Sequence, residues 1–410
     1  MNFHFRTLPS IALLLAISIS NMSSAVANAS APEVAQARGC SSTVATSCQL
    51  RGVWIATVKN IDWPSKPGLP AAQQQAELTT LFDQAKAMKM NAVFVQVRPS
   101  ADALYPTPYA PWSQYLTGTQ GKSPGYDPLA FMVAAAHARN LELHAWFNPY
   151  RVSIQPDLAK LAPNNPARLH PEWVRSYGGQ LLFDPGIPAA RRYIEASVMD
   201  AVRRYDIDGV HFDDYFYPYP VHGQVFDDDA TYHHYGMAQF SNKADWRRNN
   251  VNLLISELSR QIHSTKPWLK FGVSPFGVWR NKATDPTGSE TTAGAQDYDD
   301  LYADTRSWIR HGWIDYIAPE IYWNIGFPAA AYDKLVPWWV HEVAGTRVNL
   351  YIGQAAYKIG HNNVAWNNPE EMPNHLALDA GYPAVKGEIY FSMTSLLANP
   401  LGFEERLEGR

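Results

Sequence analysis

Three carboxylates in the 410-residue chain stand where an apolar strand gives way to a polar loop. Asp213 and Asp214 follow "GVHF" in "GVHFDDYFYP", and Glu320 sits in "APEIYW". Strands disfavour Asp, and adjacent carboxylates raise each other's cost of ionising. Two acids with separated pKa values are what glycosidic-bond cleavage uses: one protonates the leaving oxygen, the other attacks or activates water. If strand alternation continues, His211, Asp213 and Tyr215 share one face, while Val210, Phe212 and Asp214 share the other. That turns Asp213 inward as first candidate and leaves Asp214 second, to cap a turn or ligate a neighbour. The competing reading makes both aspartates simple turn-formers. Glu320, in an apolar stretch beside Pro319, is unfavourable unless paired or used. It is a candidate general acid, or half of a structural ion pair with Arg98 or Arg280. Asp184 in "LLFDPG" suits a turn cap before Pro185 better than catalysis.

Other strand ends carry residues suited to sugars, whose rings have apolar C–H faces and many hydroxyls. The candidate substrate-binding residues are Arg98, Trp146, Asn148, Arg151, His211, Tyr215, Trp279, Arg280, Asn281, Tyr322 and Trp323. A catalytic metal is not expected. His144, His211, His233 and His234 are scattered, the first strand has no His, and neither "FGVSPFGVW" nor "DYIAPEIYW" contains one. His233 and His234 read as loop surface. No cofactor is expected.

These positions need elements to hold them. Eight strand-like runs are legible, at 51–58, 91–97, 141–147, 209–216, 270–278, 315–323, 348–356 and 387–393. Helical periodicity lies between several of them, at 76–90, 128–140, 189–205, 249–264 and 300–312. Alternating strands and helices imply parallel pairing with crossover helices, and eight units match a single (β/α)8 TIM barrel. A doubly wound sheet is disfavoured because no glycine-rich phosphate fingerprint follows the first strand. Barrels place function at strand C-terminal ends. The long βα loops at 98–127, 148–188 and 217–248 agree, because loops of that length in a compact domain are functional or disordered, and their aromatic content argues against disorder.

Composition narrows the partners. With 34 basic and 38 acidic side chains, the formal charge is −4, which offers no field for nucleic acid or a membrane surface. The first residues form a short basic start, an apolar run over Ile11–Ile19 and Ala-x-Ala sites at Ala25–Ala27 and Ala27–Ala29. This is a secretory signal pattern, too short for a span of ~20 residues. The expected organisation is a signal peptide at 1–29, a linker at 30–50 and the barrel at 51–410, exported to the periplasm without a transmembrane segment. Cys40 and Cys48 could pair or stay free. Arg38, ahead of Cys40, argues against a lipid anchor.

Taken together, "RGVWIATV…IDWP", "VFVQVRP", "HAWFNPYR", "DGVHFDDYFYP", "ADWRRNNVN", "FGVSPFGVWRN", "DYIAPEIYW" and "LYIGQAAYK" resemble the glycosyl-hydrolase-like family 10 domain, in particular its divisome-localised members of enteric bacteria, from about Arg51 to Tyr390. The resemblance implies a TIM barrel of the cell envelope, linked to cell division, that cleaves peptide-stripped glycan strands of peptidoglycan. The chain departs from the family pattern twice: it lacks a lipoprotein signal, and it carries Glu320 where relatives commonly have Gln. The rival readings are a non-catalytic glycan-binding barrel and a metal-dependent polysaccharide deacetylase.

Overall fold

A computed structural model describes residues 49–361 and 363–408. Eight parallel strands close into a barrel: β1 (Leu50–Ile55), β2 (Ala92–Arg98), β3 (Glu142–Phe147), β4 (Gly209–Phe212), β5 (Lys270–Val273), β6 (Tyr316–Ile317), β7 (Asn349–Gln354) and β8 (Val385–Tyr390). β8 pairs back onto β1, with Leu50 opposite Gly387, so the barrel itself has no open edge. The crossover helices are α1 (Ala71–Ala87), α2 (Pro128–His137), α3 (Pro188–Arg204), α4 (Lys243–Thr265), α5 (Thr305–His311), α6 (Tyr332–Val343) and α7 (Glu371–Ala380). After β8 come α8 (Met393–Leu397) and α9 (Phe403–Glu408). The expected (β/α)8 architecture is therefore present. The expected signal peptide, Cys40 and Cys48 lie outside the described residues. Among the described residues no helix is long and apolar enough to cross a membrane.

Several expected boundaries move, for local reasons. β4 stops at Phe212 rather than 216, and β6 keeps only two residues, because Pro319 has no N–H to donate to the ladder. Pairing resumes at Glu320, whose N–H donates to Pro275 O at 2.9 Å. Helix α6 escaped the periodicity reading because Pro337 sits inside it. The 148–188 loop contains an unexpected antiparallel sheet of Arg151–Ser153, Val174–Tyr177 and Gln180–Phe183. Its hairpin turns at Gly178 and Gly179, both at positive φ (59° and 73°), which only glycine adopts without strain.

The core has two compartments. A large apolar layer lies between the strands and the helices. A smaller one fills the barrel with Trp54, Phe94, Trp146, Tyr316, Tyr351 and Ile389. The interior rings fit because glycines face them: a Cβ at Gly209 would lie 2.3 Å from His144 Nδ1, and one at Gly272 would lie 2.2 Å from the Tyr316 ring.

A hydrogen-bonded column threads this interior. Lys270 Nζ donates to Glu142 at 2.7 Å, and His144 Nε2 meets Glu142 at 3.2 Å. His144 and His211 then flank the Tyr316 hydroxyl at 3.0 and 3.1 Å. His211 Nε2 accepts the indole N–H of Trp54 at 3.1 Å and lies 3.1 Å from Ser274 Oγ. An indole only donates, so His211 carries its proton on Nδ1. Burial, then His144, keeps the His211 ring neutral. The column ends under the barrel mouth.

Candidate active site

At the C-terminal ends of the strands lies a cleft of about 220 Å³ to which every barrel strand or its following loop contributes. Trp54, Ala56, Val58 and Ile61 come from β1 and its loop, and Gln96 from β2. Trp146 and Arg151 follow from β3 and its loop, then Asp213, Asp214 and Tyr215 after β4. Ser274 follows β5, Glu320 and Tyr322 follow β6, Tyr357 follows β7 and Phe391 follows β8.

Asp213 is buried and held from several sides. Trp146 Nε1 and Asn148 Nδ2 each donate to its Oδ2 at 3.0 Å, and the Tyr215 N–H reaches Oδ1 at 3.4 Å. Asn148 Oδ1 accepts the Arg151 N–H at 3.0 Å, which fixes the orientation of the amide. Burial raises the Asp213 pKa, and the Arg151 charge, Trp146 and Asn148 oppose that rise. Asp213 is thus the carboxylate best provided for as an anion.

Asp214 does not take the opposite face. The strand has ended, alternation lapses, and Asp214 lines the same cleft. Its Oδ2 accepts the Tyr219 hydroxyl, which leaves Oδ1 to carry a proton. Burial, then the charge of Asp213, pushes its pKa up to about 7. Glu320 is partly exposed, and its carboxyl is pushed well above the ordinary glutamate value by burial, then by Asp214 and Asp213. Neither arginine proposed as its structural partner serves it. Arg98 is wholly buried and donates to the carbonyls of Asn148 and Pro149, and Arg280 pairs with Asp299 at 2.7 Å.

Of the sequence-derived candidates, the cleft brings together Trp146, Arg151, Asp213, Asp214, Tyr215, Glu320 and Tyr322. Asn148 lies just behind, holding Asp213. Arg98 and His211 lie beneath the cleft with their polar groups turned to the protein interior. Trp279 and Arg280 line a different cavity and Asn281 orders its own loop, accepting from Ala293 N at 2.9 Å. Trp323 packs against Phe276 rather than lining the cleft. Asp184 is a buried cap, accepting from Gly186 N at 2.9 Å and paired with Arg175 at 2.9 Å. His233 and His234 are exposed, on a short helix (Asp229–Tyr235) rather than a loop. Among the described residues no three His, Cys, Asp or Glu side chains are arranged to hold a metal.

The sequence reading missed Trp54, Gln96, Tyr357 and Phe391. Gln96 carried a readable signal as a polar residue inside "VFVQVRP". Its Oε1 accepts the Thr57 and Val58 N–H groups at 3.1 and 2.9 Å, while its buried Nε2 has no partner in the protein. A buried donor left unpaired at a cleft wall is a group that a hydroxyl-bearing ligand would satisfy. Asp62 of "IDWP" was also overlooked. It accepts from Ala56 N at 2.7 Å, Ser392 Oγ at 2.7 Å and Thr394 N at 2.8 Å, tying the loops after β1 and β8 together at the cleft rim.

Residues 49–369 match the family described as glycosyl hydrolase-like 10. The protein named glycosyl hydrolase YngK of Bacillus subtilis is 57% identical over 361 residues, covering 88% of this chain and 71% of its own. Glycosyl hydrolase DigH of Escherichia coli is 42% identical over 405 residues, 93% of this chain and 92% of its own. Among solved structures, the PgaB (BpsB) glycoside hydrolase domain from Bordetella bronchiseptica shares the fold with a TM-score of 0.56 at 16% identity, over 88% of this chain and 98% of that one.

Proposed function

The chain belongs to the glycosyl hydrolase-like 10 family, and on that premise we propose that it is a glycoside hydrolase that cleaves glycan strands of bacterial peptidoglycan, acting on strands stripped of their stem peptides. The observation that carries the reading is the convergence of Asp213, Asp214 and Glu320 on one aromatic cleft at the barrel mouth. The relatives' names point to the same reaction class. The N-terminal signal pattern supports a periplasmic site for the reaction.

The roles follow from the surroundings of each acid. Asp213, with the indole, amide and guanidinium arranged around it, is the ionised carboxylate that faces the positive charge developing at the anomeric carbon; water bonds to that carbon to complete the hydrolysis, and its released proton restores the acid. Asp214 keeps its proton near neutral pH. It gives that proton to the glycosidic oxygen as the C–O bond breaks, while Tyr219 holds its other oxygen. Glu320, whose carboxyl is shifted toward its protonated form by burial and by Asp214 and Asp213, donates a hydrogen bond to the sugar. Trp54, Trp146 and Tyr322 supply faces for the ring, and Gln96 Nε2 a donor for a hydroxyl. Incubation with purified peptidoglycan, with and without prior amidase treatment, tests the proposal. Soluble sugar fragments from the amidase-treated material support it, and none from either contradicts it.

A further inference from the structure

Two more cavities continue the cleft along one side of the barrel mouth. The nearer, about 130 Å³, shares Arg151 and Tyr215 with the cleft. The farther, about 190 Å³, shares Tyr177, Tyr217 and Pro218 with the nearer. The farther one is comparable in size to the cleft of about 220 Å³, and the nearer is smaller. Arg151 stacks its guanidinium on the Tyr215 ring at 4.5 Å, a rib between the first two compartments. The far side of the track is the antiparallel hairpin at Gly178–Gly179, and the near side is the loop after β4. Two hydrogen bonds lock these together: Val221 N to the Tyr177 hydroxyl at 2.8 Å, and Gly178 N to Gln224 Oε1 at 2.9 Å. The track is therefore formed before a ligand arrives, which lowers the entropy lost on binding.

We propose that the two outer cavities are successive sugar-binding subsites, so that one glycan strand runs from the catalytic carboxylates over Tyr215 and along the loop after β4. This rests on, and deepens, the glycosidase reading. The occupant is a carbohydrate for three reasons. The cavities are continuous with the cleft through shared residues. Tyrosine rings and the exposed Val221 and Val225 offer apolar faces suited to sugar C–H surfaces. The cationic charge is already engaged: Arg151 by the nearby Asp213, and Arg247 in the farther cavity by Asp228 at 2.6 Å. A phosphate or an acidic peptide would find no free cation there.

The test uses peptide-free glycan oligosaccharides, from a disaccharide to an octasaccharide, with the full mature chain. Cleavage efficiency (kcat/KM) should rise with length until the track is filled. Val221→Trp, which fills the nearer outer cavity from an exposed position, should lower the ratio of octasaccharide to disaccharide efficiency by about tenfold, the factor that 1.4 kcal/mol of lost subsite binding represents. Val221→Leu should keep most of the ratio. Calorimetric titration of the same oligosaccharides into Asp213→Asn protein separates the two readings. Length-dependent binding without any cleavage by the native chain would sink the hydrolase but keep the track. Cleavage and binding that are indifferent to length, or unchanged by Val221→Trp in a protein with native circular dichroism, would sink the track and keep the hydrolase.

Discussion

Trp146, on β3, donates its indole N–H to Oδ2 of Asp213 at 3.0 Å, across from the neighbouring strand β4. A carboxylate otherwise raised by burial is thereby favoured in its ionised form. The indole therefore has two duties, as a wall for substrate and as a donor that keeps the charge. Trp146→Phe keeps the wall and removes the donor. The acidic limb of the pH–rate profile, where Asp213 gains its proton, should move to higher pH, and the rate at neutral pH should fall less than tenfold. An unmoved acidic limb would show that the indole does not tune Asp213.

Asp214 should set the alkaline limb. Its proton is needed, so activity declines as pH rises through about 7. Asp214→Asn should remove that limb and lower the rate by ~10²–10⁴, least for substrates with good leaving groups. Stability should move the other way. A carboxyl whose folded pKa lies above its unfolded value binds more protons when folded, so the native state loses stability as pH rises through that window. The neutral Asn, still an acceptor for Tyr219, should raise stability at pH 8 by on the order of 2 kcal/mol. Urea midpoints at pH 5 and pH 8 check this: the gain should shrink at pH 5.

Glu320→Gln separates a proton donor from a hydrogen-bond donor. The amide keeps the shape and can still donate to the sugar, so the rate should fall less than about tenfold and the alkaline limb should persist. Loss of that limb in Glu320→Gln would transfer the acid role from Asp214 to Glu320.

The barrel was legible because its signals are repetitive: eight apolar runs, helical periodicity between them, and long aromatic loops at one end. Asp213 was legible for the same reason, since two-residue alternation carries one position past the last strand residue, Phe212. Alternation lapses one residue later. Beyond Phe212 the chain leaves the strand, and Asp214 turns into the cleft that alternation assigned to Asp213 alone. Arg98 and His211 have the right residue types at strand ends, but one-dimensional pattern does not tell a side chain under the mouth from one within it. Gln96 and Asp62 carried weaker signals, as polar residues in apolar surroundings. The Gly178–Gly179 pair was a readable hairpin signal, and it builds the wall of the outer cavities.

His211 is a positioning residue in this account, buried beneath the cleft between Trp54, Tyr316 and Ser274. His211→Ala should destabilise the protein by ~2–4 kcal/mol, from the void and from the donors left without a partner. Its KM should rise as Trp54 and Ser274 lose their fixed orientation. A variant with native stability and native KM would contradict the role.

Export supplies a separate check. The mature chain should begin near Asn28 or Ser30 and be recovered from the periplasm. Intact-mass analysis that retained residues 1–27, or that found a diacylglyceryl group on Cys40, would overturn this.

The measurement that bears most directly on the central claim compares the native chain with Asp213→Asn on peptidoglycan sacculi stripped of stem peptides. The account predicts that the native chain releases soluble glycan fragments, identified by mass spectrometry, while Asp213→Asn, with an unchanged circular dichroism spectrum, binds the sacculi and releases fragments at least ~10²-fold more slowly. Co-sedimentation of the native chain without release, or equal release by the two proteins, would contradict it.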